Sequence, residues 1–361
     1  MKVLLIDEFS RIGGGQILSK LLLDYFNKNY GQTYLAVDRE HTHIEYENII
    51  QTPYYFRENM KLPSLYYYVA KTKKFLKHYI DNQFDLVFNN HPNMFLYKAD
   101  INALHGFSFL DQIIDEYGNI KNKIIFNFIK KSGMYNLYNN ANFYVNSNYT
   151  LKISNKLFPL LNIKPGIMKV IYIPVGYKEK PDLAFKVKNL VISIGRIDIR
   201  KNYGELFKIA VKLKNYRFII AGALNRGDEE YYKNLIQNKP DNVEIKVNIN
   251  EHDKLELLKK ASIYIHLNRK EHYGISILEA MSYGIIPVVP ESGGPWEDII
   301  EHGKYGYGFN SIDEAVDQIK NIDFDIVKTI MDLMYRFSFK NFYYNMDNFV
   351  SDFCNILRLP C

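Results

Sequence analysis

Short apolar runs, each closed by a glycine or a polar turn and separated by helical stretches, recur along the chain. They fall at Val3–Ile6 (within 2–7), Thr33–Val37, Leu86–Asn89, Ile101–Leu104, Phe143–Asn146, Lys169–Ile173, Leu190–Ile194, Tyr216–Gly222, Val243–Val247, Ser262–Leu267 and Ile286–Pro290. Runs this apolar fit strands buried on both faces, and strands alternating with helices call for a parallel α/β sheet wound on both sides. In such sheets ligands bind where the strands end, so the turns carry the functional information. The helical stretches read as Gln16–Tyr30, 62–80, 109–117, 121–139 and an aromatic-rich tail from Asp325 to about Leu357.

At 361 residues the chain is too long for one core, and two domains with a cleft between them are expected. The segment PVGYKEKPD, with Pro174, Gly176 and Pro181 in a polar run, reads as the hinge. This puts the boundary near Lys178, with a first domain over 1–177 and a second over 178–338. Cys354 and Cys361 stand too close together and too late to staple a fold, and no Cys/His cluster has zinc-ligand spacing.

No apolar run is long enough for a bilayer span, and the chain starts directly on a strand, so a cytoplasmic protein is expected. The net charge of +6 is modest but uneven. Lysines interleave with aromatic residues over 61–80 and 121–131, a pattern that can rest on anionic headgroups or simply form a solvated helix face. No nucleic-acid-binding motif accompanies them.

Chemistry concentrates between Arg269 and Gly308. Glu271 and Glu279 flank Gly274, Ile275 and Ser276, where an apolar helix begins. The glycine lets backbone approach a ligand, and a helix start aims unpaired N–H groups at an anion. Carboxylates accept hydrogen bonds from hydroxyls, so the combination suits a ligand with both phosphate and hydroxyl groups, a nucleotide sugar. Earlier, Gly195 follows the strand Leu190–Ile194, with Arg196 and Lys201 just beyond it. An arginine fork and an ammonium beside a helix start suit a diphosphate. In the first half, Gly13, Gly14 and Gly15 form a glycine run before a helix, without the spacing of a dinucleotide fingerprint. His91 and His105 each follow a strand; His105 favours a role in the cleft, while His91 reads equally well as a structural histidine.

The stretch EHYGISILEAMSYG with SGGPWEDI resembles the paired-glutamate signature of retaining glycosyltransferases of the GT-B fold, family four, in the branch acting on lipid-linked or glycoprotein glycans. Where that family usually has Pro-Phe-Gly, this chain has His272, Tyr273 and Gly274. The resemblance implies two Rossmann-like domains facing a cleft, with the C-terminal helix, about 340–358, crossing back to the first. It assigns Arg196 and Lys201 to the donor diphosphate, Glu271 to hydroxyls of the donor sugar and Glu279 to the ribose. It puts the nucleobase near Asn248 and Ile249, His105 against the donor sugar, and Gly14 and Gly15 near donor phosphates and acceptor.

The expected reaction is retaining, metal-independent transfer of a hexose from a nucleotide-diphosphate sugar to a glycan or polyprenyl-linked acceptor, with no further cofactor. The amides of SGG are expected near the donor. A noncatalytic sugar- or lipid-binding scaffold, and a phosphorylase or epimerase of the same fold, stay open as alternatives.

Overall fold

The structure is a computed structural model that describes residues 2–7, 14–37, 46–52, 62–80, 83–91, 97–106, 120–176, 182–225, 227–338, 340–342, 345–348 and 350–351. Gly13 and the helix expected at 109–117 lie outside the described residues. The chain divides into one unit of Met1–Tyr172 with Tyr343–Cys361 and a second of Ile173–Phe342.

The first unit holds a seven-stranded, all-parallel sheet. Its strands are β1 (Val3–Ile6), β2 (Thr33–Val37), β3 (Ile49–Gln51), β4 (Leu86–Asn89), β5 (Ile101–Leu104), β6 (Asn142–Val145) and β7 (Met168–Val170), in the order β3-β2-β1-β4-β5-β6-β7. The central strands are buried at every position, which is why they read as unbroken apolar runs. The helix Gly14–Tyr30 begins two residues before the expected start, so Gly14 and Gly15 open its first turn. It turns Leu18, Leu22, Tyr25 and Phe26 inward at helical spacing. Ser147 caps the helix Asn148–Leu160 by accepting the Thr150 N–H at 2.9 Å.

The second unit carries a six-stranded parallel sheet of β8 (Val187–Ile194), β9 (Arg217–Gly222), β10 (Val243–Val247), β11 (Ala261–Ile265), β12 (Ile286–Pro290) and β13 (Tyr307–Phe309), in the order β10-β9-β8-β11-β12-β13. Val191, Ile220, Ile263, Ile265 and Val288 from its strands pack with Leu206, Ile209, Ala315 and Ile319 from helices in one core. Strand order reverses direction between β1 and β4 in one sheet and between β8 and β11 in the other. The crevice past the strand ends at such a reversal is where open α/β sheets bind ligands.

Three further details depart from the sequence reading, besides the edge strands β3 and β13, which it did not contain. The helix expected over 121–139 is Ile120–Ser132 followed by a 3-10 turn, Met134–Tyr138, because Gly133 takes a left-handed φ of 61° between them. The strand expected at Lys169–Ile173 is shorter and starts at Met168. The tail is not one helix: Ile326–Met334 gives way to a 3-10 turn at Tyr335–Phe337, and extended Ser338 accepts the Asn341 N–H at 3.2 Å, capping a new helical stretch. Phe337 meanwhile accepts the Val175 N–H at 2.9 Å, which ties the interruption to the rest of the unit. Among the described residues no helix is long and apolar enough to cross a membrane.

Candidate active site

At the end of β8 the chain passes through Gly195 into a 3-10 turn, Ile199–Lys201. Buried Asp198 caps this turn by accepting the Arg200 N–H at 3.0 Å; its carboxylate also takes the Arg200 guanidinium at 2.7 Å and lies 3.6 Å from Nε of Arg196. The turn sends Lys201 back over Gly195, where an added Cβ would stand 3.2 Å from the lysine's Cε. Nζ of Lys201 then donates to Oε2 of Glu271 at 2.7 Å. Gly222, at the end of β9, allows the neighbouring backbone close approach: a Cβ there would collide with the Gly195 carbonyl. The sequence-predicted cation and carboxylate, 70 residues apart, are thus direct partners.

The loop bearing Glu271 is braced from β12. The Gly294 N–H donates to the Glu271 carbonyl at 2.8 Å, and a Cβ on Gly294 would come within 2.1 Å of the His272 carbonyl. This corrects the expectation for SGG: the Gly294 amide is spent on holding the Glu271 backbone. The Glu271 side chain is only about a fifth exposed (22%). Burial alone pushes its carboxyl up, but the charge and hydrogen bond of Lys201 hold it well below the usual carboxylate range.

Gly274, with φ of 111°, starts the helix Ile275–Met281 that separates the two glutamates. Under its first turn the buried Tyr264 of β11 ties three elements together. Its hydroxyl donates to the Ile194 carbonyl at 2.8 Å and lies 2.8 Å from Oγ of Ser276. Tyr273 is also buried; its hydroxyl donates to the Ile173 carbonyl at 2.7 Å, and its ring stands edge-on to Phe337. Glu279 does not meet Arg196 or Lys201 in an ion pair. It pairs with Lys254 at 2.8 Å, and Lys254 also reaches Glu251 at 2.9 Å. Burial opposes the Lys254 charge, but these two carboxylates outweigh it and raise its pKa.

At the end of β10, Asn248 adopts a left-handed φ of 53°. Its N–H donates to the Gly222 carbonyl at 2.8 Å, and its side-chain oxygen accepts the Leu224 N–H at 3.0 Å. Asn248 is exposed and Ile249 half-buried.

Two residues that contact the paired glutamates escaped the sequence reading. Lys254 sits on the helix Glu251–Lys260, among other charges at ordinary helix spacing, and nothing local marks it. His266 ends the run IYIH, the same strand-end placement that singled out His91 and His105, and that signal was there to be used.

In the first unit, His105 follows β5, and its Nε2 lies 2.7 Å from Oδ1 of Asn90, the residue after β4. Asn90 also donates to the buried Asp7 carboxylate at 3.2 Å. Ser19 and the His91 ring hydrogen-bond the same carboxylate, and the His91 and His105 rings lie 6.0 Å apart. Asp7, Asn90, His91 and His105 therefore form one polar cluster past β1, β4 and β5. Among the described residues, no three His, Cys, Asp or Glu side chains are grouped to hold a metal ion.

In the second unit these cations and carboxylates gather past the strand ends of one parallel sheet. Residues 178–322 match the family model of glycosyl transferases group 1. GDP-Man:Man(3)GlcNAc(2)-PP-Dol alpha-1,2-mannosyltransferase of Dictyostelium discoideum is 30% identical over 201 residues, covering 48% of this chain and 40% of that protein. The chain thus spans about two-fifths of the length of that relative, and less of others. Two solved structures share the fold over almost their whole length. One is the Anabaena protein HepE with UDP and glucose (18% identical, TM-score 0.70, covering 98% of this chain and 100% of that one). The other is sucrose-phosphate synthase from Thermosynechococcus elongatus (15% identical, TM-score 0.73, covering 97% and 98%). The GT-B fold expected from the sequence is the fold observed.

Proposed function

We propose that this protein is a glycosyltransferase that moves a hexose from a nucleotide-diphosphate sugar to a glycan or lipid-linked oligosaccharide, with retention of configuration and without a metal. The observation that carries the reading is the Lys201–Glu271 pair at 2.7 Å beside the Gly274 helix start. In this reading Lys201 takes the phosphates and Glu271 the sugar hydroxyls, the two ends of an activated sugar. Names of similar proteins support the donor class: the Dictyostelium relative uses GDP-Man, and HepE was solved with UDP and glucose.

In this mechanism the departing nucleoside diphosphate gathers negative charge, and Lys201, Arg196 and the amides at Gly274–Ile275 stabilise it. Glu271 accepts hydrogen bonds from hydroxyls of the donor sugar, and Ser276 stands in the first turn of the helix between the two glutamates. Glu279 accepts hydrogen bonds from the ribose diol, and Lys254 is its ion-pair partner in the structure at 2.8 Å. The base lies against Asn248 and Ile249. The phosphate that leaves assists removal of the acceptor proton.

The acceptor is lipid-linked in this reading, and the protein works in the cytoplasm against a membrane. The helix Ile120–Ser132 exposes Ile124 and Phe128 among Lys123, Lys130 and Lys131, and the helix Leu62–Ile80 exposes Tyr67 and Tyr79 among Lys73, Lys74 and Lys77. Co-sedimentation with anionic but not neutral vesicles, lost at high salt, is the expected behaviour.

The deciding experiment incubates the protein with GDP-mannose and UDP-glucose, a polyprenyl-diphosphate oligosaccharide and EDTA, then reads the product's anomeric configuration by NMR. A retained linkage formed in EDTA supports the proposal. Binding without transfer favours the scaffold, and turnover with inorganic phosphate in place of the acceptor favours a phosphorylase.

A further inference from the structure

His266 stands directly after β11 with its side chain 3% exposed. Its Nε2 is buried without a hydrogen-bond partner and lies 3.5 Å from Oε2 of Glu271, the same oxygen that Lys201 holds. The ring's backbone hydrogen bond to Asn268 therefore falls to the other nitrogen. A buried imidazole nitrogen with nothing to bond costs stability that an apolar side chain of similar size does not, so its presence beside the working carboxylate calls for a use. The charged and titratable groups acting on it are Lys201 and Glu271, with His272 acting in turn on Glu271.

These groups pull in opposite directions. Burial first, and then the Lys201 charge, keep the imidazole neutral, with its pKa lowered to about 4, whereas Glu271 favours its cation. A diphosphate arriving at Lys201 offsets the lysine's charge and competes for its N–H groups. The repulsion on His266 weakens while the attraction of Glu271 remains.

Resting on the donor-site reading above, we propose that His266 is a positioning residue for Glu271. As the donor's diphosphate engages Lys201, Nε2 of His266 takes one proton from solvent and donates a hydrogen bond to Oε2 of Glu271, keeping the carboxylate in place for the sugar hydroxyls. One N–H bond forms and one proton leaves the buffer for each donor bound; nothing is oxidised or reduced.

Calorimetry with GDP-mannose and UDP-glucose tests this, since neither has a phosphate group that titrates near neutral pH. Titrations in buffers of different ionisation enthalpy are expected to show uptake of about half a proton or more per site by the wild-type protein. His266→Leu should show none and bind the sugar nucleotide about tenfold more weakly, the loss of one charge-assisted hydrogen bond. His266→Gln, which donates without titrating, should recover most of the affinity but no proton uptake. Wild-type binding with no buffer dependence, or an unchanged affinity and pH profile in His266→Leu, overturns the inference while leaving the donor site standing. Failure of the wild-type protein to bind either sugar nucleotide removes the donor reading, and this inference with it.

Discussion

The two units solve the same topological problem with opposite electrostatics. In each, polar side chains collect past the strand ends where the sheet order reverses. In the second unit they form cation–carboxylate pairs, Lys201 with Glu271 and Lys254 with Glu279, whose members keep between about a fifth and a third of their side chains exposed. In the first they close around one fully buried carboxylate, Asp7, which Ser19, Asn90 and His91 hydrogen-bond. A partly exposed ion pair contributes little to stability and can trade a partner for a ligand, whereas a buried, fully bonded carboxylate is expensive to disturb. The second unit's charges are therefore available to a substrate, and the first unit's cluster acts mainly as a rigid seat for His91 and His105.

That contrast can be broken. Lys201→Ala should lower transfer by roughly 10²- to 10³-fold, the usual effect of losing one donor to a developing charge, with little change in Tm. A variant that unfolds instead would show that the pair is structural. Next in size is an acid effect on the donor-free protein. Burial lowers the folded-state pKa of His266 from 6.5 to about 4, so the unfolded chain holds more protons throughout that window. Stability is then fully present above pH 6.5 and is lost as pH falls toward 4, by an amount on the order of 3 kcal/mol. Denaturant unfolding of His266→Leu across the same range should lack that slope.

Asp7→Ala should destabilise the protein by roughly 2 kcal/mol, since it strands buried donors on Ser19 and Asn90. A normal unfolding midpoint together with lost turnover would instead make Asp7 part of the reaction. The smallest effect is expected from Lys254→Ala: about tenfold weaker sugar-nucleotide binding by calorimetry, with turnover at saturation nearly unchanged, because its partner Glu279 is proposed to bind the ribose and not the reacting sugar.

The same contrast marks what could be read from the sequence. Arg196, Lys201 and Glu271 each lie near a strand end or helix start with a glycine close by, and Glu279 lies inside the helix that follows Gly274, a local pattern that survives without knowledge of the fold. The structure pairs Lys201 with Glu271 but gives Glu279 to Lys254, because pairing depends on which strand ends become neighbours. Tyr264 hides in the apolar run SIYIHL and reads as core, although its hydroxyl joins β8 to the helix at Ile275. Asp7 was visible only as the residue after a strand; its role depends on Asn90 and His91, 83 and 84 residues away, reaching the same crevice. The parallel sheets were legible throughout because their central strands are buried on both faces. The three-residue edge strands β3 and β13 carry too short a signal, and the break in the tail at Ser338 comes from a cap that an aromatic-rich helical pattern masks.

The central claim is that Lys201 and Glu271 separate to take the two ends of one activated sugar. A crystal structure with GDP-mannose or UDP-glucose bound tests it most directly. The account predicts a diphosphate oxygen within hydrogen-bond reach of Nζ of Lys201 and a sugar hydroxyl on the Glu271 carboxylate. A sugar nucleotide seated elsewhere, with the 2.7 Å pair intact and untouched, would contradict it.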